Sequence, residues 1–262
     1  MEQKYNFQEF TDIIRELRSE NGCPWDREQT HESLKPCMIE ECYEAVDAIN
    51  NKDMSNLKEE LGDVLLQVVM HAVIAEQTGE FTINDVIQDI SEKMIRRHPH
   101  VFGTKQAETS KDVLQTWEQV KKEEKQEYTA ADALYRIPRA LPANIRAQKV
   151  QKKAAKFGME FENYKQVLGK VREELEELEE AEKLGNNTQI EEEFGDLMFS
   201  IINLSRFLHI NAENSLTNAT DKFINRFIGV EGLAVRQGKH LSNLSPEQID
   251  ALWREIKCQN TK

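Results

Sequence analysis

The chain has 262 residues, of which 39% are hydrophobic and 31% are charged, and its formal net charge is −13. The apolar content suffices for a packed core and excludes a disordered chain, while the negative charge argues against direct binding to nucleic acid or to an anionic membrane surface. The start, MEQKYNFQEF, lacks the apolar segment of a secretory signal, and no run of about 18 apolar residues predicts a membrane span. The four cysteines form no C-x-x-C pair, which indicates a cytoplasmic protein with reduced thiols.

Two long stretches without proline, 37–98 and 143–245, are rich in the helix-favouring residues Glu, Leu, Lys, Ala and Gln. Apolar residues recur in both at helical spacing, and no alternation typical of strands is visible. The sequence therefore predicts an all-α fold. The four apolar stripes are Met38, Cys42, Ala45 and Ile49; Leu57, Leu61, Val64, Leu65 and Val68; Val171, Leu175, Leu178 and Ala181; and Phe194, Leu197, Met198 and Ile201.

A hinge is predicted between the two helical stretches. The charged run KKEEKQEY occupies residues 121–128, and Pro138 and Pro142 follow it. This composition is typical of a connection between domains. We therefore expect two domains, residues 1–130 and residues 131–262.

The two halves repeat the same motifs in the same order. EELGDVLLQVV at 59–69 is echoed by EEFGDLMFSII at 192–202. A nearly constant offset between matching motifs predicts a tandem duplication with small insertions. The first-half residues Glu41, Glu44, Glu60, Asp63, Lys93, Arg97 and Trp117 recur in the second half as Glu174, Glu177, Glu193, Asp196, Lys222, Arg226 and Trp253.

Each half carries an E-x-x-E pair and an E-x-x-D pair on predicted helices. Residues three apart on a helix share a face, so two such helices packed together would bring four carboxylates to one half-buried rim. At an effective dielectric constant near 20, two like charges about 4 Å apart repel by roughly 4 kcal/mol, which a bound cation relieves. An all-oxygen ligand set favours Mg²⁺, with Mn²⁺ as a substitute. A solvated acidic helix face is the alternative explanation for any single pair.

Gly62 and Gly195 lie inside the predicted helices, next to the last acid of each set. A glycine in a helix interior costs about 1 kcal/mol relative to alanine, so its occurrence in both copies suggests a reason. We expect the missing side chain to let a neighbouring helix approach closely and hold the acids near the metal. A tight helix crossing without a catalytic role is the alternative.

Three cationic side chains and a tryptophan in the second half suit a nucleotide. Lys222 and Arg226 lie one turn apart, which suits phosphate oxygens, and ordinary surface ion pairing is the alternative. Lys170 lies one turn before Glu174 and can also reach a phosphate. Trp253 is a candidate to stack on a base, and a core position is its alternative.

With these residues in place, the chain resembles the MazG family of nucleoside triphosphate pyrophosphohydrolases, within the wider all-α pyrophosphohydrolase superfamily. The resemblance covers nearly the whole chain, and it implies two tandem MazG-like helical domains in a homodimer. It also implies Mg²⁺-dependent cleavage of nucleoside triphosphates to the monophosphate and pyrophosphate. The matching segments are NGCPWDREQTHESL at 21–34, the acid pairs, RRHPHVF at 96–102, IPRALPA at 137–143 and RAQKVQKKAAKFG at 146–158.

The family usually places its activity in the C-terminal half. The resemblance implies Glu192 and Glu193 as catalytic residues, and the first of them is a candidate either for the base or for a group that supports a metal ligand. It implies Glu174, Glu177, Glu193 and Asp196 as metal ligands and Lys170, Lys222, Arg226 and Trp253 as substrate contacts. In the N-terminal copy, the corresponding residues are Glu41, Glu44, Glu60 and Asp63 for the metal and Lys93, Arg97 and Trp117 for the substrate. The chain departs from the family at Gln189, where a lysine can precede the acidic run.

In the hypothesised reaction, a water oriented by Glu192 attacks the α-phosphorus and pyrophosphate leaves. Lys222 and Arg226 offset the charge that develops on the phosphates. Two other functions remain open at this point. In the first, the chain is a regulatory interaction module that binds a partner protein, and its acids no longer have a function. In the second, it is a structural metal-binding dimer that does not hydrolyse nucleotides.

Overall fold

A computed structural model describes residues 4–104, 107–125 and 129–259 of the chain. These residues form thirteen α-helices, one 3-10 turn and no strand, which confirms the predicted all-α fold. The chain divides into two compact units, residues 1–124 and 125–262. The sequence places the boundary six residues later, after residue 130.

The first unit contains seven helices. Helix α4 is the longest and packs against α1, α3 and α5. The helices are α1 (Phe7–Leu17), α2 (Pro24–Glu28), α3 (Lys35–Asn51), α4 (Met54–Thr78), α5 (Ile83–Arg97), α6 (Pro99–Phe102) and α7 (Ser110–Lys125).

The second unit contains six helices and the 3-10 turn Leu241–Asn243. Helices α10 and α11 form an extended hairpin, and α9 packs across α11 and α12. The helices are α8 (Ala130–Tyr135), α9 (Ala143–Lys156), α10 (Tyr164–Leu184), α11 (Asn187–Phe207), α12 (Ala212–Arg236) and α13 (Pro246–Gln259).

The predicted duplication is confirmed by the positions at which helices begin. Helices α4 and α11 begin at residues 54 and 187, α5 and α12 at 83 and 212, and α7 and α13 at 110 and 246. These starts are therefore 133, 129 and 136 residues apart, which are the offsets between the matching sequence motifs. Helices α3 and α10, which carry the E-x-x-E pairs, end at residues 51 and 184, again 133 residues apart. Four corresponding helices therefore carry the acids, the basic pair and the tryptophan in each unit.

Each acid-bearing hairpin has a two-residue connection of the same design. Lys52 and Gly185 end the first helices in the left-handed conformation, with φ of 57° and 67°. Asp53 and Asn186 then cap the second helices by accepting hydrogen bonds from backbone N–H groups. Because the connection is this short, the two helices are antiparallel neighbours in a fixed register, which places the two acid pairs side by side.

Each unit has its own hydrophobic core, away from the acid pairs. In the first unit, Ile14, Val69 and Val73 are almost completely buried where α1 packs on the second half of α4. In the second unit, Val230 of α12 packs with Ile256 of α13. The acids therefore lie on scaffolds whose stability comes from apolar packing elsewhere in the unit.

The apolar stripes near the acids are less buried than the sequence suggests. Ala181 of α10 is fully buried, but Leu175 is 46% exposed and Phe194 of α11 is 54% exposed. The larger apolar side chains of these stripes thus remain partly exposed. The two hairpins therefore present apolar surface beside their carboxylates.

The expected role of the two helix glycines is wrong within the described chain. A Cβ added at Gly62 or Gly195 meets no heavy atom within 4 Å outside its chain neighbours and its own helical turn. No helix of the described residues approaches either glycine closely. The paired acids converge without any need for a missing side chain at these positions.

We expect the Gly195→Ala substitution to stabilise the second unit. The added methyl group meets open space, and alanine removes the helix-interior cost of about 1 kcal/mol. The melting temperature should rise by roughly 2–4 °C in a thermal scan. Gly185→Ala is the matched control and should lower it, because residue 185 has a positive φ. A lower melting temperature for Gly195→Ala would contradict the open environment described here.

None of the helices in the described part of the chain combines the length and the hydropathy that a membrane span requires. All four cysteines are free thiols.

Candidate metal and nucleotide site

Three predicted metal ligands of the second unit converge at the α10–α11 hairpin. One carboxylate oxygen from each of Glu174, Glu177 and Glu193 lies within 4.8 Å of the other two. The first two residues are one turn apart on α10, and the third faces them from α11. Glu174 is only 5% exposed, so its charge is largely removed from water.

The other two predicted acids of α11 are not among the converging residues. Asp196 follows Glu193 by one turn and is exposed, and it is not one of the three converging residues. Glu192, the candidate base, is also exposed. The structure thus brings three of the four predicted ligands together and leaves the fourth, with the candidate base, open to solvent.

Lys170 is part of the acid cluster. Its Nζ lies 2.7 Å from Oε1 of Glu174 and 2.8 Å from Oε1 of Glu173. The two contacts raise the pKa of Lys170, so the ammonium is charged at neutral pH. The predicted phosphate contact is therefore paired with a predicted metal ligand.

The electrostatics of the cluster favour a cation. The pKa of Glu177 is raised, chiefly because burial penalises its charge and further because of the nearby Glu174 and Glu193 carboxylates, while Lys170 opposes the shift. Repulsion among the carboxylates is therefore only partly relieved by the lysine. Three hard oxygen donors with unrelieved repulsion fit Mg²⁺ or Mn²⁺.

The first unit repeats the arrangement at the α3–α4 hairpin. One carboxylate oxygen from each of Glu41, Glu44 and Glu60 lies within 4.8 Å of the other two. Burial and the neighbouring carboxylates, including Asp63, raise the pKa values of Glu41 and Glu60. This second acid cluster therefore also fits a divalent cation.

The predicted phosphate contacts lie on α12. Lys222 is exposed, and Arg226 is half-buried one turn later. The Nε of Arg226 is buried and has no hydrogen-bond partner among the described residues. An unpaired buried donor is uncommon and costly, so this guanidinium is available to an anion. No hydrogen bond or ion pair of the described residues joins Lys222 or Arg226 to the acids.

Trp253 of α13 is half-buried and packs against the core of the second unit. Its ring centroid lies 5.3 Å from that of Phe223, the residue after Lys222. The tryptophan therefore has a structural role and also lies next to the basic pair of α12. Both expectations for this residue are compatible with its position.

The corresponding arginine in the first unit has a partner. The Arg97 guanidinium donates two hydrogen bonds to Oε2 of Glu124, at 2.9 Å and 2.6 Å, and Arg96 also binds this carboxylate. Lys93 is half-buried on the same helix, and Trp117 packs near His98 with ring centroids 6.2 Å apart. The basic pair of the first unit is thus partly committed to an internal ion pair.

The Glu124–Arg97 pair predicts a pH-dependent stability. Hydrogen bonding to Arg97 lowers the pKa of Glu124 in the folded state. The pair therefore stabilises the fold above the ordinary carboxyl pKa, and this contribution is lost as the pH falls through the lowered value.

We expect Glu124→Gln to lower the melting temperature most at pH 7 and to lower it progressively less as the pH falls below about 4. Glu123→Gln is the control, because among the described residues Glu123 accepts a hydrogen bond only from Gln119 of its own helix. Thermal scans from neutral to acidic pH measure the difference. A difference that grows towards acidic pH would contradict the assigned ion pair.

Two partners in these sites have no signal in the sequence. Glu173 and Glu124 neutralise Lys170 and Arg97, yet each lies in a run of charged residues where any acid is an equal candidate. Glu124 belongs to the segment that was interpreted as a hinge. The spacing of the motifs identifies the acids and the basic residues, but not which of them pair.

Comparison with known proteins places this geometry in a family. A family model described as the MazG nucleotide pyrophosphohydrolase domain matches residues 29–102 and 162–228, and thus each acid-bearing hairpin. The nucleoside triphosphate pyrophosphohydrolase/pyrophosphatase MazG of Thermotoga maritima is 47% identical over 96% of this chain and 95% of its own length. A nucleoside triphosphate pyrophosphohydrolase of Escherichia coli K12 is 43% identical over 94% of this chain and 95% of its own length.

A further relative is a longer protein. The uncharacterized protein YabN of Bacillus subtilis is 48% identical over 97% of this chain, which covers 52% of that protein. Relatives of different lengths therefore match nearly the whole of this chain. On the family match and on these identities, the chain belongs to the MazG nucleotide pyrophosphohydrolase family.

Proposed function

We propose that this protein is a nucleoside triphosphate pyrophosphohydrolase. It hydrolyses ribo- and deoxyribonucleoside triphosphates, ATP among them, between the α- and β-phosphates and releases the monophosphate and pyrophosphate. The observation that carries the proposal is the convergence of Glu174, Glu177 and Glu193 in a hairpin that the family model matches. The names of the relatives from T. maritima and E. coli support the same activity.

The proposed cofactor is Mg²⁺, with Mn²⁺ as a substitute. Glu174, Glu177 and Glu193 would hold it, and Asp196 would complete the ligand set from the open side of α11. When bound, the cation supplies charge neutralisation for the triphosphate and acidifies a water molecule for attack near neutral pH. It also makes this acidic chain receptive to a polyanion.

The remaining proposed roles belong to side chains of the chain itself. Glu192 is exposed beside the cluster, where its carboxylate can accept a proton from the attacking water. Lys222 and Arg226 bind the phosphates and stabilise the charge that passes to the leaving pyrophosphate. Trp253 orients the nucleoside.

We assign the main activity to the C-terminal unit. The unpartnered Nε of Arg226 supports this choice, because its counterpart Arg97 is bound to Glu124. The first unit retains an acid cluster and would bind a cation without an equally available arginine.

We further propose that the protein is a homodimer in the cytoplasm and does not bind nucleic acid. An exposed apolar strip on α12 suits a partner helix, and it is formed by Phe223, Ile224, Phe227 and Ile228. A measured mass of about 61 kDa by light scattering, twice the 30.4 kDa chain, would support the dimer.

The composition supports the other two parts of this proposal. The four free thiols fit a reducing compartment, and the net charge of −13 disfavours the binding of nucleic acid.

The test is pyrophosphate release from a panel of ribo- and deoxyribonucleoside triphosphates, with Mg²⁺ or with EDTA. The proposal expects metal-dependent release of pyrophosphate and of an equal amount of monophosphate from at least one substrate. Release of orthophosphate and diphosphate instead would overturn the cleavage position. If no nucleotide is hydrolysed and the chain binds a partner protein, the interaction module would be favoured. A metal-dependent rise in melting temperature without turnover would favour the structural metal-binding dimer.

A further inference from the structure

The C-terminal acid cluster, formed by Glu174, Glu177 and Glu193, is in contact with the ammonium group of a lysine. Lys170 Nζ lies 2.7 Å from Oε1 of Glu174, whose side chain is only 7% exposed, and 2.8 Å from Oε1 of Glu173. Glu174 is in turn one of the three converging carboxylates. The lysine therefore contacts a nearly buried carboxylate that is also a proposed metal ligand.

The N-terminal cluster has no such cation. The residue that corresponds to Lys170, at the offset of 133 that relates the acids, is Cys37. Within the described part of the chain, Glu41, Glu44 and Glu60 make no ion pair, and burial and neighbouring acids raise the pKa of Glu41. The two clusters thus have the same carboxylates but differ by one positive charge at the same place on the helix.

This difference bears directly on metal affinity. An ammonium group in contact with a carboxylate neutralises part of its charge and repels a divalent cation that approaches the same carboxylate. A nucleoside triphosphate offers that ammonium a more highly charged partner. Lysine is suited to such an exchange, because its charge sits at the end of a flexible chain.

We propose that Lys170 is a counterion that makes divalent-cation binding at the C-terminal cluster depend on the nucleotide, whereas the N-terminal cluster binds the cation alone. The dependence on the nucleotide rests on the proposed function. The triphosphate draws Lys170 away from Glu174, and the freed carboxylate then completes the metal site. The cation and the substrate accordingly bind cooperatively at one cluster and independently at the other.

The experiment measures Mn²⁺ binding without nucleotide, from the electron paramagnetic resonance signal of the free ion. Glu44→Gln weakens Mn²⁺ binding at the N-terminal cluster, so the remaining binding is that of the C-terminal cluster. Glu177→Gln weakens Mn²⁺ binding at the C-terminal cluster, so the remaining binding is that of the N-terminal cluster. We expect the N-terminal cluster to bind Mn²⁺ roughly tenfold more tightly than the C-terminal cluster.

Two reciprocal substitutions test the assignment to residue 170. Lys170→Met in the Glu44→Gln protein should tighten Mn²⁺ binding roughly tenfold, and Cys37→Lys in the Glu177→Gln protein should weaken it by a similar factor. Lys183→Met is the matched control, because Lys183 is exposed at the far end of the same helix, and it should change neither affinity by more than about twofold. Circular dichroism confirms that each variant is folded.

The sign of the Lys170→Met effect decides the matter. Weaker Mn²⁺ binding would overturn the inference and make Lys170 a residue that positions Glu174 for the metal. An unchanged affinity would also overturn it. A non-hydrolysable triphosphate analogue should tighten Mn²⁺ binding in the Glu44→Gln protein. It should tighten Mn²⁺ binding much less in the protein that carries both Glu44→Gln and Lys170→Met. An equal gain in affinity in these two proteins would overturn the coupling between the nucleotide and the cation.

The failure of the proposed function is distinguishable from the failure of this inference. The proposed function is tested by pyrophosphate release from the wild-type protein, and the absence of this release would overturn the function. The Mn²⁺ titrations without nucleotide do not depend on turnover, so they test the counterion in either case.

Discussion

Replacing Glu193 with glutamine is expected to reduce pyrophosphate release by about 100-fold or more in kcat/KM, which corresponds to roughly 3 kcal/mol of lost transition-state stabilisation. Glu193 is the residue of α11 that faces Glu174 and Glu177 of α10 within 4.8 Å. Glutamine keeps the size of the side chain but removes its charge. Of the three converging carboxylates, the one that α11 contributes is therefore lost. Steady-state kinetics at saturating Mg²⁺ measure the effect.

The matched control for this variant is Glu60→Gln, because Glu60 occupies the same place in the N-terminal cluster. If the C-terminal unit performs the chemistry, Glu60→Gln retains most of the activity. Equal losses in the two variants would mean that both units work. Full activity of Glu193→Gln would contradict the metal-site assignment.

Replacing Arg226 with glutamine is expected to lower kcat/KM by roughly 100-fold. Its Nε is buried and has no hydrogen-bond partner within the described part of the chain, so this guanidinium is available to phosphate oxygens. Glutamine cannot supply the charge or the planar pair of donors. Most of the loss should appear in kcat if the arginine acts on the developing charge, and in KM if it only binds the substrate.

Arg97→Gln is the matched substitution in the first unit. Because Arg97 is bound to Glu124, this change should lower thermal stability with little effect on kcat/KM. Arg226→Lys should recover part of the activity lost in Arg226→Gln, because it restores the charge without the planar fork. A larger kinetic loss in Arg97→Gln than in Arg226→Gln would contradict the assignment of the activity to the C-terminal unit.

Local geometry explains why so much of the acid site was predictable from sequence. Glu174 and Glu177 must share a face, because α-helical periodicity places residues three apart side by side. The two-residue connection Gly185–Asn186 then sets the register of α11 against α10 and brings Glu193 opposite them. The duplication repeats both constraints in the first unit, so two independent copies of the pattern point to the same geometry.

Long-range pairing explains what the sequence did not reveal. Arg97 and Glu124 are separated by 27 residues, and several acids near residue 124 are equivalent in sequence. The choice between Glu174 and a phosphate for Lys170 depends on burial and on rotamers, which no spacing specifies. The helix glycines were misinterpreted because their cost is visible in the sequence, whereas the open space beside Gly195 is a property of the packed helices.

The most direct test of the central claim is hydrolysis of a nucleoside triphosphate in water enriched in ¹⁸O, with Mg²⁺, followed by mass spectrometry of both products. Attack of water on the α-phosphorus predicts one ¹⁸O atom in the nucleoside monophosphate and none in the pyrophosphate, with the label greatly diminished in the Glu193→Gln protein. Label in the pyrophosphate, or undiminished labelling of the monophosphate by Glu193→Gln, would contradict α-phosphorus attack at the C-terminal acid cluster.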